Sequence, residues 1–559
     1  MQDKVWLTHY PQEVQPTYEY PKQHLAQFLI DSAERHPEKD ALFFLGKKLT
    51  YKQLLDATYR LANSLQDLGV KKGDRVAIML PNCPQAVIAY YGALLTGAIV
   101  VQTNPLYTER ELKHQLNDSG STLLITLDIL SKRVNKVLHK TEVKQTIFTS
   151  IKDYLPFPKN MLYPLTLKKD GLSTKVDYST TQHSFKRRLA ESPNTPVLVE
   201  VDPEKDLALL QYTGGTTGVS KGVMLTHYNL IANTHQTKAW SYQTEEGKER
   251  YLAALPFFHV FGMTVLMNLA MLQAGMIILL PKFDAETTLK MIDKMKPTIF
   301  PGAPTMYIAL LHHPDIQKYD LSSINICISG AAPLPGEVQE KFEAITGGKL
   351  TEGYGLTETS PVTHANNIWK KRKLGSIGIP FPDTEAKIIQ SETGEDLDIG
   401  EVGELVIRGP QVMKGYWNAE EETSRTLKDG WLYTGDMAQV DEEGYFYIMD
   451  RKKDIIIAGG FNIYPREIEE VLFEHPSIMD AVVAGIPDEY RGETVKAFLV
   501  LKTGAKVDEV EIDRFCRERL AAYKVPRSYE VREELPKTLI GKTLRRKVVE
   551  EELAKYKKA

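Results

Sequence analysis

Cysteine is scarce: Cys83, Cys327 and Cys516 are widely spaced and form no CxxC pair. That excludes a disulfide framework and a zinc ribbon and suits a reducing cytosol. An excess of one charge is also missing, because 69 Lys and Arg stand against 73 Asp and Glu, a formal net charge of −4. Without a global basic field there is no basis for holding a nucleic acid by counterion release. The N-terminal MQDKVWLTHYPQEVQPTYEYP lacks the apolar core of a signal peptide, so export is not expected. One stretch, Leu252 to Leu280, has no Asp, Glu, Lys or Arg and exceeds the roughly 20 residues that span a bilayer. Pro256, His259, Gly262, Asn268, Gln273 and Gly275 interrupt it, so it parses as a strand (YLAALP), a turn (FFHVFG), a buried helix from Met263 to Leu272 and a strand (MIILLP).

What is present is an ordinary globular composition, 42% hydrophobic and 25% charged over 559 residues. At about 150 residues per domain this is enough for three or four structural units. From Ala41 to about Lys296 helices alternate with apolar strands: LTYKQLLDATYRLANSLQDLG closes at Gly69, PQAVIAYYGALLTG closes at Gly97, and DRVAIMLP, AIVVQTNP and STLLITL read as strands. Strands apolar on both faces and separated by helices predict a mainly parallel sheet covered by helices. A second stretch of that texture runs from KPTIFPGAPTMYIALL to TEGYG, so two α/β units are expected.

After Gly375 short strands punctuated by Gly, Pro and Asp predict a small β-rich, barrel-like subdomain, about 375–450. The charged run DRKKD reads as a hinge before a small α+β domain. In that domain the helix EIDRFCRERLAAY places Ile512, Phe515, Cys516, Leu520 and Tyr523 on one face. The Lys-, Ser- and Thr-rich stretch from about Pro158 to Asn194 reads as a surface insertion. The predicted division is 1–452 for the large domain and 453–559 for a mobile one.

The segment richest in chemistry is LALLQYTGGTTGVSKGVMLTH. A strand ends at Tyr212 and delivers Thr213, Gly214, Gly215, Thr216, Thr217, Gly218, Val219, Ser220 and Lys221. Glycines let backbone N–H groups approach an anion, hydroxyls add donors and the lysine adds charge, a composition that suits a polyphosphate. It is not a Walker A loop, because two residues separate Gly218 from Lys221 and a strand-like GVMLTH follows where a helix would be needed. Gly218-Val-Ser220-Lys-Gly222 does match G-x-S-x-G, but a nucleophile elbow must pass straight from strand to helix. Taken alone, the segment also reads as a polar surface turn.

With this loop, LPFFHVFG, GAAPLP, TEGYGLTETSP, GWLYTGD, DRKKDIIIAGGFNIYPREIEE and LPKTLIGKTLRRK follow in order over nearly the whole chain. In these motifs the chain resembles the adenylate-forming superfamily, and among its members bacterial long-chain fatty-acid-CoA ligases most.

The resemblance implies roles for matching residues. Thr213, Gly214, Gly215, Thr216, Thr217, Gly218 and Lys221 would hold ATP phosphates. Ala331, Glu352, Gly353 and Tyr354 would line the adenine slot. Asp436 would accept from both ribose hydroxyls with Arg451 close by, and Thr357 would reach a phosphate. Glu358 would hold Mg²⁺, a hard cation suited to carboxylate and phosphate oxygens. Read without the resemblance, Asp436 is a turn aspartate, Thr357-Glu358 a helix start and His259 a satisfied core histidine. With it, His259 positions and gates the substrates and is no general base, since a fatty carboxylate is already ionised near neutral pH.

Lys542 is implied to bridge carboxylate and α-phosphate as charge develops between two anions, where residues alone would give a solvated basic tail. Lys453 is implied to be the hinge. Gly459 and Gly460 would leave room for the CoA pantetheine arm, although many relatives carry Lys where this chain has Gly459.

The expected activity is ATP-dependent, AMP-forming fatty-acid-CoA ligation, with ATP and CoA as co-substrates. An aryl- or medium-chain acyl-CoA ligase is the close alternative, and a non-catalytic nucleotide- or lipid-binding protein the alternative of another class. A peptide-synthetase module is disfavoured, since the sequence ends soon after Lys542. A cytoplasmic location is expected. Peripheral contact with the inner face of a membrane stays open because fatty acids partition into bilayers, and a homodimer is an expectation of the family.

Overall fold

The computed structural model describes residues 4–169, 175–213, 220–458, 461–488, 491–502, 504–506, 508–538 and 543–556. An eight-stranded sheet runs in spatial order Gly415–Tyr416, Lys221–Thr226, Leu207–Thr213, Ile99–Gln102, Arg75–Met79, Leu123–Leu127, Gln145–Thr149 and Gln182–Ser184. From Leu207–Thr213 onward the pairing is parallel, and the two strands at the other edge are antiparallel. The apolar runs dictate this: Ile99–Gln102 and Leu123–Leu127 are buried at every residue, as strands covered on both faces must be. Helix Pro84–Leu95 starts on a proline at its first position, is buried on all sides, and is followed by Gly97 at φ +70°.

A second sheet is assembled from distant parts of the chain. Lys47–Thr50, Asp40–Phe44, Met276–Leu279 and Arg250–Ala253 form one half, and Ile326–Ser329, Lys349–Gly355, Val362–Ala365 and Ile379–Pro380 the other. Ile299 joins them, bridging to Tyr251 on one side and Ile326 on the other. The two α/β units are therefore interleaved and not successive. Asp40–Phe44 pairs antiparallel with its sequence neighbour Lys47–Thr50 on one side and lies parallel to the distant Met276–Leu279 on the other, in register Leu42 with Ile277.

Three further expectations are corrected. The supposed surface insertion supplies Gln182–Ser184, the edge strand of the first sheet, and helix Phe185–Glu191, whose Phe185 is fully buried. FFHVFG is not all turn, because helical backbone starts at Val260 and continues through wide π turns over Met263–Asn268 to Leu272. The C-terminal helix spans Glu509–Arg517; Leu520 is buried just beyond it, while Tyr523 is 37% exposed.

The β-rich part is an antiparallel sheet of Glu385–Ile389, Gly403–Arg408, Trp431–Val440, Leu427–Lys428 and Phe446–Arg451. Its end strands do not pair with each other among the described residues, so the sheet does not close. Beyond it, a C-terminal sheet of Ile456–Ala458, Phe461–Ile463, Ile478–Asp488, Gly492–Leu501 and Ser528–Val531 has a separate apolar cluster on each face. Helices Pro465–Phe473 and Glu509–Arg517 cover one face and Arg545–Tyr556 the other.

Candidate active site

A cleft of about 2830 Å³ opens between the large N-terminal part and the C-terminal part. One wall is made where Ile326–Ser329 and Lys349–Gly355 run parallel with Ser329 opposite Glu352. Their C-terminal ends therefore release GAAPLP and EGYG side by side, where parallel sheets place ligand sites. Ala331 turns at φ +71°, and a Cβ on Gly355 would lie 2.0 Å from the Pro361 carbonyl oxygen, so only glycine fits there.

Tyr354 sends its hydroxyl 2.5 Å to Asp436 Oδ2, and Arg451 Nε donates 2.7 Å to Asp436 Oδ1. Sequence places Asp436 by a bulge. The ladder with Gly403–Arg408 slips between Glu404 and Val406, Gly435 takes φ +69°, and the Thr434 hydroxyl ties Leu405 O and the Asp436 N–H together. Asp436 also faces Arg451 directly across the next ladder. Burial and the Asp436 charge push the Tyr354 phenol well up, and the same carboxylate raises Arg451. Glu352 is buried, which pushes its carboxyl up to about 7, with the Arg466 charge opposing.

Thr357 and Glu358 follow in the turn Thr357–Thr359, and both line the cleft. Glu358 Oε1 accepts 2.8 Å from the Tyr416 hydroxyl, whose ring lies 5.4 Å from Lys221 Nζ. Lys221 is also ion-paired with Glu422. Lys221 starts the strand that returns antiparallel to Leu207–Thr213, so the Gly- and Thr-rich connection joins two strands, unlike a Walker A loop or a nucleophile elbow. Thr213 borders the cleft. Gly214, Gly215, Thr216, Thr217 and Gly218 lie outside the described residues.

His259 sits at the start of the helix that begins at Val260, where its Nδ1 accepts 3.3 Å from the Phe261 N–H. It is half-buried in the cleft wall. Buried Asn82 fixes the turn before it, donating to Ala253 O and Leu255 O and accepting from the Phe257 N–H. Asn82 and Tyr416 are the residues that motif reading misses. Asn82 is 175 positions from the turn it holds, and Tyr416 reaches the site only because Gly415–Tyr416 pairs with Lys221–Thr226.

The C-terminal wall is held by charge. Arg545 Nη1 lies 3.0 Å from both Asp450 Oδ1 and Asp454 Oδ2, and its Nη2 lies 2.8 Å from Glu469 Oε1. Arg466 donates its backbone N–H to Asp450 Oδ2 and its Nη1 to Ile448 O, each at 2.8 Å. Lys453 is exposed between Asp450 and Asp454, so Arg545 grips the chain on both sides of it. Lys542, Gly459 and Gly460 lie outside the described residues. Lys537 and Thr543, which flank Lys542 in sequence, pair across an antiparallel bridge and line the cleft.

Comparison with known proteins matches residues 29–417 to the AMP-binding enzyme family and 467–542 to the AMP-binding enzyme C-terminal domain. A long-chain-fatty-acid–CoA ligase of Bacillus subtilis (strain 168) is 58% identical over 98% of each chain. The solved anthranilate CoA ligase AuaEII in complex with anthranoyl-AMP superposes with TM-score 0.86 at 27% identity, covering 96% of this chain and 99% of that one. O-succinylbenzoate coenzyme A synthetase (MenE) of Bacillus subtilis, in complex with ATP and magnesium ion, gives TM-score 0.77 at 30% identity, covering 93% and 98%.

Proposed function

The chain belongs to the AMP-binding, adenylate-forming enzyme family, and on that premise we propose that it is a long-chain fatty acid–CoA ligase working through an acyl-adenylate. The observation that carries the reaction class is the buried Asp436 carboxylate, set between the Tyr354 hydroxyl and the Arg451 guanidinium at the floor of the cleft. A carboxylate with two oxygens suits a vicinal diol. The 58% identity to a long-chain enzyme, against 27% to an aryl-acid ligase, favours the fatty acid as substrate.

In the first half-reaction a carboxylate oxygen of the fatty acid attacks the α-phosphorus of ATP and pyrophosphate leaves. Tyr354, Ala331, Glu352 and Gly353 flank the adenine, Asp436 and Arg451 take the ribose, and Lys221 with Thr213 and the 214–218 connection receives the phosphates. His259 orients the carboxylate beside them. The donor set fits magnesium: Glu358 retains a carboxylate oxygen beyond the one bonded to Tyr416, Thr357 adds a hydroxyl, and a phosphate-borne ion needs few protein ligands. When bound, the ion neutralises phosphate charge.

Lys542 supplies a cation between the two reacting anions, where their repulsion peaks. In the second half-reaction the CoA thiolate attacks the acyl carbonyl and AMP leaves. Lys542 must vacate that approach, which we assign to a swivel of residues 453–559 about Lys453 that brings Gly459 and Gly460 toward the pantetheine arm. ATP–pyrophosphate exchange across fatty and aromatic acids tests the reading: exchange is expected with long-chain acids, and exchange driven by aromatic acids alone would replace the proposed substrate.

A further inference from the structure

Large apolar side chains exposed singly are unremarkable, but a cluster of them on one element marks an interaction surface. Such a cluster sits on helix Lys159–Lys169 and its lead-in. Phe157 is 77% exposed, Met161 68%, Leu165 65% and Leu162 54%. Within the helix Met161 and Leu165 are four positions apart, the spacing of one flank, and Phe157 lies in the lead-in just before it. The opposite side is anchored, since Leu167 is buried, Tyr163 packs against the main core and Lys159 Nζ donates 3.2 Å to Leu45 O. The apolar flank is therefore held outward by a fixed helix.

The charges around it are mainly positive. Lys186, Lys152 and Lys47 all bear on the carboxyl of Asp153, just before Phe157, and Lys47 also lies over the Tyr154 ring at 5.1 Å. From position 160 to 186 the sequence carries four lysines against two aspartates, although the whole chain is net negative.

We propose that the face formed by Phe157, Met161, Leu162 and Leu165 docks on an anionic lipid surface, the apolar side chains entering the headgroup boundary while the lysines meet lipid phosphates. Apolar tips with lysines beside them are what an interfacial anchor needs. A protein partner would not require that basic surround. The proposal deepens the ligase reading in one respect, because a long-chain acid is drawn from the same bilayer.

Co-sedimentation of the full chain with vesicles of phosphatidylglycerol and phosphatidylcholine tests it. Binding is expected, weakening with added salt, and the combined variant Phe157→Ser, Met161→Ser and Leu165→Ser should lower the partition coefficient by about tenfold or more. Val531→Ser, which removes an exposed apolar residue from the C-terminal sheet, should leave it unchanged. Phe157→Trp should give a blue-shifted emission on vesicles that brominated lipid quenches. No binding at low ionic strength, equal binding to neutral vesicles, or a dimer in sedimentation that the triple variant dissolves would each overturn the proposal. These readouts need no turnover, so they stand apart from the exchange assay that tests the ligase reading.

Discussion

The N-terminal body and the C-terminal part are held together by different physics. Within the body one apolar cluster runs from Trp6 to Phe446 and fuses both large sheets with the β-rich one, and a second, including Ala77, Met79, Val101 and Leu210, packs against the eight-stranded sheet. Beyond Ile456 the apolar residues serve only their own sheet. The contacts at the junction are made by Arg545 and Arg466 with Asp450 and Ile448. Apolar burial commits a body to one packing, whereas charged groups can exchange a protein partner for water at modest net cost. The contrast separates a part packed to stay rigid from one whose junction contacts water can replace.

Substitutions in either part test this difference. The largest effect is expected inside the body: Ile88→Ala, in the fully buried helix Pro84–Leu95, should cost about 2–5 kcal/mol in chemical denaturation and lower both half-reactions through loss of folded protein. Lys542→Ala should slow adenylation by about 10²–10³ while sparing thioester formation from supplied acyl-AMP. Equal loss in the two assays would remove the proposed division of labour.

Glu352 lies where the two parts meet. Its folded pKa, raised to about 7 from 4.5, means the folded state holds a proton that the unfolded chain has released. Stability is then lost as pH rises from about 4.5 to 7, and Glu352→Gln should recover up to about 3 kcal/mol at pH 8 and little at pH 4.5. Denaturation midpoints that show the same gain at both pH values would contradict this origin. The smallest effect is expected from Arg545→Met, which loosens the junction without touching the apolar clusters. Adenylation should fall by about tenfold, some 1.4 kcal/mol, with the melting of the N-terminal body unchanged and thioester formation retained. Loss of N-terminal stability in that variant would show that the junction also carries the fold.

Sequence reading reached the site where local backbone chemistry writes it. Glycines and prolines mark the bends that carry Ala331, Tyr354 and Asp436, and the apolar runs mark the parallel strands. It could not reach pairings set by packing over long separations, such as Leu42 beside Ile277 or Asn82 beneath the FFHVFG turn. Arg545 illustrates a different limit. In LPKTLIGKTLRRK it is one cation among several, and only the positions of Asp450, Asp454 and Glu469 distinguish it from Arg546, which pairs with Glu550 on its own helix.

Helix Pro465–Phe473 places the Arg466 charge within reach of Glu352, with Glu470 opposing more weakly. If the helix swings off with the C-terminal part, that carboxyl loses the positive neighbour that helps it ionise. It also loses part of the burial that opposes ionisation, so the swivel changes the surroundings of a titratable carboxyl, and a pH indicator in weakly buffered solution would register proton exchange in step with the domain movement.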